Sequence, residues 1–271
     1  MAPGSDKREN IAQARELVEA AIIADEPDLV ILPEMWSCLG GDKTTKFASA
    51  ETLPAPDGAG ACGEAYALLQ AVARKAGIFV HGGSIGERMG ERISNTSLVF
   101  GRDGAELARY RKIHLFDVMT PNGESYRESD IFAAGDTVVT VRLGQVTAGL
   151  AICYDLRFAE LFLQLRRAGA ELIILPAAFT AETGEAHWEV LLRARAIEMQ
   201  CWLAASATCG QHLDGRGAPR LTYGHSMLID PWGTIVAQAS GGPGWSTGTL
   251  DSFRTREVRA GIPLLDHRRL T

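Results

Sequence analysis

The sequence predicts a layered α/β fold, built either on one mixed sheet or on two sheets sandwiched between helices. Three observations carry this expectation. Short apolar runs rich in β-formers alternate with segments of helical period. Hairpin signals interrupt that alternation, which fits a layered arrangement better than an all-parallel barrel. The string ELIILPAAF from Glu171 also echoes DLVILPEMW from Asp28, each after a predicted helix, which suggests two related halves.

Asp6 and Glu9 have capping-box spacing, and Ile11, Ala14, Leu17, Val18, Ala21 and Ile22 recur at helical period, so a helix is expected to run to about Ala24. The run Leu29-Val30-Ile31-Leu32 reads as a strand covered on both faces, stopped by Pro33. A helix is predicted over 61–76, closed by Gly77, with a strand over 78–82. Segments 94–100 and 106–111 flank Asp103-Gly104 and read as a hairpin with Lys112 at its far end. The polar stretch 117–136, holding Pro121, Asn122, Gly123, Glu128 and Gly135, reads as a long ordered loop, a length that usually means function. Strands over 137–143 and 145–152 surround Gly144, and a helix over 157–168 follows Cys153. A further helix over 187–199 and strands over 202–207, 226–229 and 234–239 complete the pattern.

The chain has 271 residues and carries no Pro/Ser/Gly-rich linker or charge discontinuity, so one domain spanning 1–271 is expected. A net charge of −6 with interspersed signs offers no basic stripe for nucleic acid or an anionic membrane, which leaves small-molecule chemistry. The five cysteines, Cys38, Cys62, Cys153, Cys201 and Cys209, show no C-x-x-C or paired ligand spacing and suit a reduced cytoplasm. The N-terminal MAPGSDKR has no apolar core of signal-peptide length, and no segment reaches the span of a membrane helix. The six histidines show no ligand spacing such as H-x-x-x-H, so neither metal nor organic cofactor is expected.

In GLAICYDLRF an apolar strand pattern stops at Cys153 and a helix-compatible segment takes over. A thiol mounted there faces the positive end of a helix dipole, which predicts a stabilised thiolate; the alternative is a buried cysteine packing as a small hydrophobe. Cleaving an unactivated C–N bond needs a nucleophile, a proton shuttle and a positive group where oxyanion charge develops. Cys153, Glu34 and Lys112 supply one of each, and all lie at or just beyond predicted strand ends. In the second half Ala177 stands where the first has Glu34, so the backbone architecture does not require that carboxylate. Taken singly, Glu34 could be a helix cap or surface carboxylate, and Lys112 one more charge in Arg109-Tyr110-Arg111-Lys112. Histidine is the competing base, as in Cys-His enzymes, although His114 reads as structural and His187 as a helix opener. The Arg157 guanidinium could pair with a substrate carboxylate or be an ordinary helix-start charge. Trp188 reads as core rather than pocket.

The strings LPE ending at Glu34, YRKIHLF around Lys112 and AICYDLRF around Cys153 resemble the three catalytic motifs of the nitrilase superfamily of carbon–nitrogen hydrolases, and the resemblance covers essentially the whole chain. Through TGEAHWEVLLRARA from Thr183 and YGHSMLIDPWG from Tyr223 the chain is most similar to the branch holding deaminated glutathione amidase and omega-amidase. The resemblance implies a four-layer α-β-β-α sandwich, usually paired as dimers, working without a cofactor on a small amide. It carries the roles of base, oxyanion stabiliser and nucleophile onto Glu34, Lys112 and Cys153, and that of a second glutamate onto Glu128. The Tyr154 backbone N–H joins the oxyanion site, and Phe179 and Thr183 match pocket positions beside Arg157. An acidic amide, deaminated glutathione or 2-oxoglutaramate, is implied over a neutral nitrile; nitrile hydrolysis, N-carbamoyl hydrolysis and a non-catalytic scaffold role are the alternatives. Relatives begin with a strand that enters the Pro-Gly-Ser-Asp segment, whereas here Met1 stands almost directly before it, so a neighbouring strand is expected to keep unpaired backbone groups.

Overall fold

A computed structural model describes residues 1–55, 60–119, 123 and 125–270; of the loop expected over 117–136, Pro121 and Asn122 lie outside the described residues. The first sheet runs in the order Leu29–Ile31, Phe79–His81, Arg92–Phe100, Ile85–Met89, with Glu106–Arg111 and Phe132–Ala133 also paired to Arg92–Phe100. The second runs Ile235–Gln238, Met227–Ile229, Trp202–Ala207, Leu172–Ala177, Val146–Leu150, Thr140–Leu143.

Side-chain alternation along the strands builds the layers. In Arg92–Phe100, Leu98 and Phe100 join a core with Ala14 and Val18 of helix Lys7–Asp25 and with Tyr66, Leu68 and Leu69 of helix Glu64–Ala76. Val99, between them, points the other way and packs with Val141, Ala148 and Leu150 of the second sheet. The far face of the second sheet is covered by Leu161, Phe162 and Leu165 of helix Ala159–Arg167 and by Trp188 and Leu192 of helix Ala181–Met199. The order is therefore helices, sheet, sheet, helices, the four-layer sandwich that the resemblance implied. The two echoing strings occupy related places. Leu29–Ile31 pairs parallel with its neighbour in one sheet, and Leu172–Ala177 pairs parallel with both neighbours in the other.

Several expectations need correction. Leu29–Ile31 does pack on both faces, Leu29 and Ile31 against the inter-sheet core and Val30 against the helices. All three residues are nevertheless half-buried, because among the described residues this strand pairs only with Phe79–His81 and forms the sheet's edge. Met1 lies elsewhere, its carbonyl accepting from the Cys209 N–H at 2.9 Å. The helix expected from residue 61 starts at Glu64, where the Glu51 carboxylate accepts from the N–H groups of Ala65 and Tyr66 at 2.7 and 3.0 Å and caps the first turn from a distant segment. The helix expected from His187 starts at Ala181 with Thr180 as its cap, so His187 lies inside it. After Cys153 a short 3-10 turn, Cys153–Arg157, precedes the α-helix Ala159–Arg167. The region read as one long loop holds strands Asp117–Met119, Ser125–Arg127 and Phe132–Ala133 and the 3-10 turn Glu128–Asp130. Strand Ile85–Met89 and the hairpin Cys209–Leu213 with Pro219–Tyr223 were not anticipated. Among the described residues no helix is long and apolar enough to cross a membrane.

His81 ties this core to pH. It is fully buried, its Nδ1 accepting from the Gly83 N–H at 3.2 Å, and burial holds its pKa down to about 3 from 6.5. Below the unfolded value the unfolded chain binds a proton that the native state refuses, so stability is lost as pH falls from 6.5 toward about 3. Urea midpoints are expected to be lower at about pH 5 than at about pH 7.5, and His81→Gln should remove part of the difference.

Candidate active site

Glu34 leaves the end of strand Leu29–Ile31 through Pro33, where the chain turns sharply. The turn is held by the Met35 N–H donating to Ser84 Oγ at 3.0 Å and Trp36 Nε1 donating to the Gly82 carbonyl at 2.7 Å. Gly83 makes the close approach possible: at φ +59° it lies so near Pro33 that a Cβ would collide with the Pro33 carbonyl. Met35 itself adopts φ 47°. Lys112 follows strand Glu106–Arg111, its N–H donating to the Asn95 carbonyl at 2.9 Å and its carbonyl accepting from Gly135 N–H at 2.8 Å. Cys153 stands three residues past the end of strand Val146–Leu150 and also has a left-handed φ of 47°, a conformation that costs energy in a non-glycine residue and turns its side chain out of the strand direction.

These three side chains, distant in sequence, share one buried cluster. Lys112 Nζ donates to Glu34 Oε1 at 2.9 Å and to Glu128 Oε1 and Oε2 at 3.1 and 2.9 Å. Glu34 and the Ala178 backbone N–H both lie close enough to the Cys153 thiol to act on its protonation. Burial works against the Lys112 charge, but Glu128, Glu34 and Cys153 outweigh it and raise its pKa well above the ordinary value, so the ammonium is permanent. The thiol moves up as well. Burial and the Glu34 charge hold it protonated, against the smaller opposing pull of Lys112 and the Ala178 N–H. The pull toward thiolate expected of the helix dipole is outweighed here. Two carboxylates and one ammonium leave the cluster with a net negative charge that a local dipole does not overcome.

A family model described as carbon–nitrogen hydrolase matches residues 1–260. The chain is 40% identical over 273 residues to deaminated glutathione amidase from Homo sapiens, covering 97% of this chain and 79% of that protein. It is 36% identical over 266 residues to omega-amidase NIT2 from Mus musculus, covering 98% and 91%. The crystal structure of Saccharomyces cerevisiae Nit3, described as a member of branch 10 of the nitrilase superfamily, superposes with a TM-score of 0.85 at 30% identity, over 99% of this chain and 93% of that one. The chain belongs to the carbon–nitrogen hydrolase family. As an amidase-like member of the nitrilase superfamily it is a hydrolase of carbon–nitrogen bonds other than peptide bonds.

In this hydrolase the cluster forms part of a cavity of about 260 Å³ lined also by Tyr154, Arg157, Phe179 and Thr183. Arg157 has no carboxylate partner among the described residues: its guanidinium lies 5.9 Å from the Tyr154 ring centroid and 5.4 Å from that of Phe179, and contacts His187 Nδ1 at 3.3 Å. Thr183 is held by Thr180, their hydroxyls 2.8 Å apart. Trp188 is core, fully buried with Nε1 donating to the His225 carbonyl at 2.8 Å. His114 sits against Asp155 rather than in the cluster, as its structural reading implied.

Two residues that sequence reasoning missed organise the cluster. Asn95, buried in strand Arg92–Phe100, donates through Nδ2 to Glu34 Oε1 at 2.9 Å and Glu128 Oε1 at 3.3 Å, one amide standing between two like charges. A signal was available: Ser94-Asn95-Thr96-Ser97 puts four polar residues in a strand with an otherwise apolar interior, and all four are buried. Asp155, fully buried two residues after Cys153, accepts from Tyr110 Oη at 2.7 Å, from the Ile152 N–H at 2.8 Å, and from His114 Nδ1 and N–H at 2.7 and 3.1 Å. Tyr110 and His114 flank Lys112 by two residues on each side, so this carboxylate clamps the Lys112 segment to the Cys153 turn. Asp155→Asn is expected to weaken these bonds by about 2–4 kcal/mol in sum, read as a lower urea midpoint. A kcat that falls while KM holds would mark it as a positioning residue rather than a general support.

Proposed function

We propose that this protein is a cofactor-independent amidase that cleaves the C–N bond of a small, carboxylate-bearing amide through a thioester on Cys153. The observation that carries the proposal is the meeting of a protonated thiol, a carboxylate whose charge acts on it and a permanent ammonium in one cavity. Glu34 takes the thiol proton as sulfur attacks the amide carbonyl, so negative charge passes from carboxylate to sulfur beside the same Lys112. Charge in the cluster is conserved, and the burial that disfavours a free thiolate does not block the transfer. Lys112 and the Tyr154 N–H stabilise the oxyanion. Glu34 then protonates the departing amine as the C–N bond breaks, leaving the thioester, and next accepts a proton from water as its oxygen attacks the acyl carbon. Release of the carboxylic acid returns the proton to sulfur. Glu128 holds Lys112 in place.

Arg157, with no carboxylate partner among the described residues, receives an acid group of the substrate, and Phe179 and Thr183 shape the pocket beside it. That cation favours acidic amides over neutral nitriles. Deaminated glutathione is the first substrate to test and 2-oxoglutaramate the second, in keeping with the names of the relatives. Hydrolysis of one of these, with a simple nitrile left intact, is the expected result of assaying purified protein on all three; turnover of the nitrile alone would overturn the reading, and turnover of none would favour a scaffold role. We further propose that residues 1–271 act as one domain in the reduced cytoplasm, since all five cysteines are free, and that two copies pair. Val190 and Ile197, exposed on one face of helix Ala181–Met199, support pairing, which sedimentation would test.

A further inference from the structure

Behind the site, three buried polar atoms stand in a row on one face of the first sheet, and the chemistry above uses none of them. Val99 faces the second sheet, so strand alternation turns Ser97 and Asn95 the same way. Antiparallel register sets His81 opposite Val99, on the same face and diagonal to Ser97, and Gly82 N–H continues the pairing by donating to the Leu98 carbonyl at 2.8 Å. Asn95 Oδ1, Ser97 Oγ and His81 Nε2 have no hydrogen-bond partner among the described residues, although none of the three residues is more than 1% exposed. Folded chains seldom leave such atoms orphaned. Their polarities fit one another. His81 Nδ1 accepts from Gly83 N–H at 3.2 Å, which puts the ring proton on Nε2 as a pure donor. Asn95 gives Nδ2 to Glu34 and Glu128, which leaves Oδ1 as a pure acceptor, and the Ser97 hydroxyl can do both. Same-face neighbours along a strand and diagonal neighbours across it stand about 7 Å apart, a gap that suits one bridging water. Ser97 is the smallest side chain on this face of its strand, where a water fits at least cost in packing.

We propose that His81, Ser97 and Asn95 bind a file of ordered waters between the two sheets, and that this file keeps the Asn95 amide turned with Nδ2 toward Glu34 and Glu128. One water lies between His81 Nε2 and Ser97 Oγ, the other between Ser97 Oγ and Asn95 Oδ1. Hydrogen bonds run one way along the file: His81 Nε2–H donates to the first water, that water to Ser97 Oγ, the Ser97 hydroxyl to the second water, and the second water to Asn95 Oδ1. Turned over, the amide would set its carbonyl against two carboxylates, and Glu34 would lose a donor. Ser97 and His81 are therefore positioning residues that act on Glu34 through Asn95. The waters and the amide orientation stand apart from the amidase reading; only the effect on turnover rests on it.

The test compares Ser97→Thr with Ser97→Val, side chains of one shape that differ by a hydroxyl. A high-resolution crystal structure of the native protein is expected to show density for both waters within hydrogen-bond distance of Ser97 Oγ, kept in Ser97→Thr and lost in Ser97→Val. The Asn95 Nδ2 protons, drawn downfield by two carboxylates, should hold their NMR shift in Ser97→Thr and move upfield in Ser97→Val. With KM held, kcat should fall about three- to tenfold in Ser97→Val, the worth of one hydrogen bond, and stay near native in Ser97→Thr. Should Ser97→Val fail to fold, Ser97→Ala takes its place in all three measurements. No density between these atoms in the native protein, or a direct hydrogen bond from His81 to Ser97, would overturn the water site. Equal Asn95 shifts in the two variants would overturn its hold on the amide. Density and shift need no substrate, so a native protein that turns over no amide would count against the amidase reading alone, and these two measurements would still decide the inference.

Discussion

Cys153→Ala is expected to abolish amide hydrolysis, a loss of roughly a hundred-thousandfold or more in kcat, since no neighbouring group can form the acyl bond in its place. The substitution removes one sulfur from a site that is 8% exposed, so little packing is lost and the protein should fold. It should also bind substrate, because Arg157 and the cavity wall are untouched. A protein with native circular dichroism and ordinary binding but no turnover is therefore the result that fits. Measurable turnover from a folded Cys153→Ala protein would overturn the thioester scheme. In the native enzyme, rapid quenching with excess substrate should trap an acyl group on the Cys153 peptide.

Glu34→Gln is expected to cost on the order of a thousandfold or more in kcat, because in the proposed reaction one carboxylate serves as base, acid and base again. The amide can still accept from Lys112 and Asn95 through its oxygen, so the change removes proton transfer more than architecture. The same variant gives an independent readout on the thiol. Burial and the Glu34 charge both raise the Cys153 pKa, while Lys112 lowers it. Removing the carboxylate leaves Lys112 less opposed, so the pKa should fall, and the pH at which iodoacetamide modifies Cys153 should move down with it. An unchanged profile would mean that Glu34 does not set the thiol's protonation. Because the two residues act on one step, the double variant should be no slower than Cys153→Ala alone.

Much of this site was legible in the chain itself. Glu34, Lys112 and Cys153 each follow a strand pattern, and strand ends are where a sheet delivers side chains to a common rim. The alternation of apolar runs with helical segments, the hairpin signals and the echo between the strings from Asp28 and Glu171 were enough to anticipate layers and two related halves. Helix starts were less legible where the cap came from afar. Nothing near Glu64 announces that Glu51 will satisfy its first turn, and the weak start of Ala181–Met199 gave no apolar period before His187. The hairpin that brings His212 and Arg220 to the cavity passed unread because its polar and glycine-rich strands lack an apolar alternation.

Local sequence thus determined most of the strands and helices, their stacking in layers, and the three residue types proposed for the chemistry, since periodicity and side-chain type are properties of neighbours along the chain. Only the tertiary structure decided the protonation of Cys153, the place of Asn95 between two carboxylates, the Asp155 clamp across Lys112, and the arrival of Lys46, His212 and Arg220 at the cavity. Burial and electrostatic fields depend on distances through space, and those distances exist only once the two sheets have packed face to face.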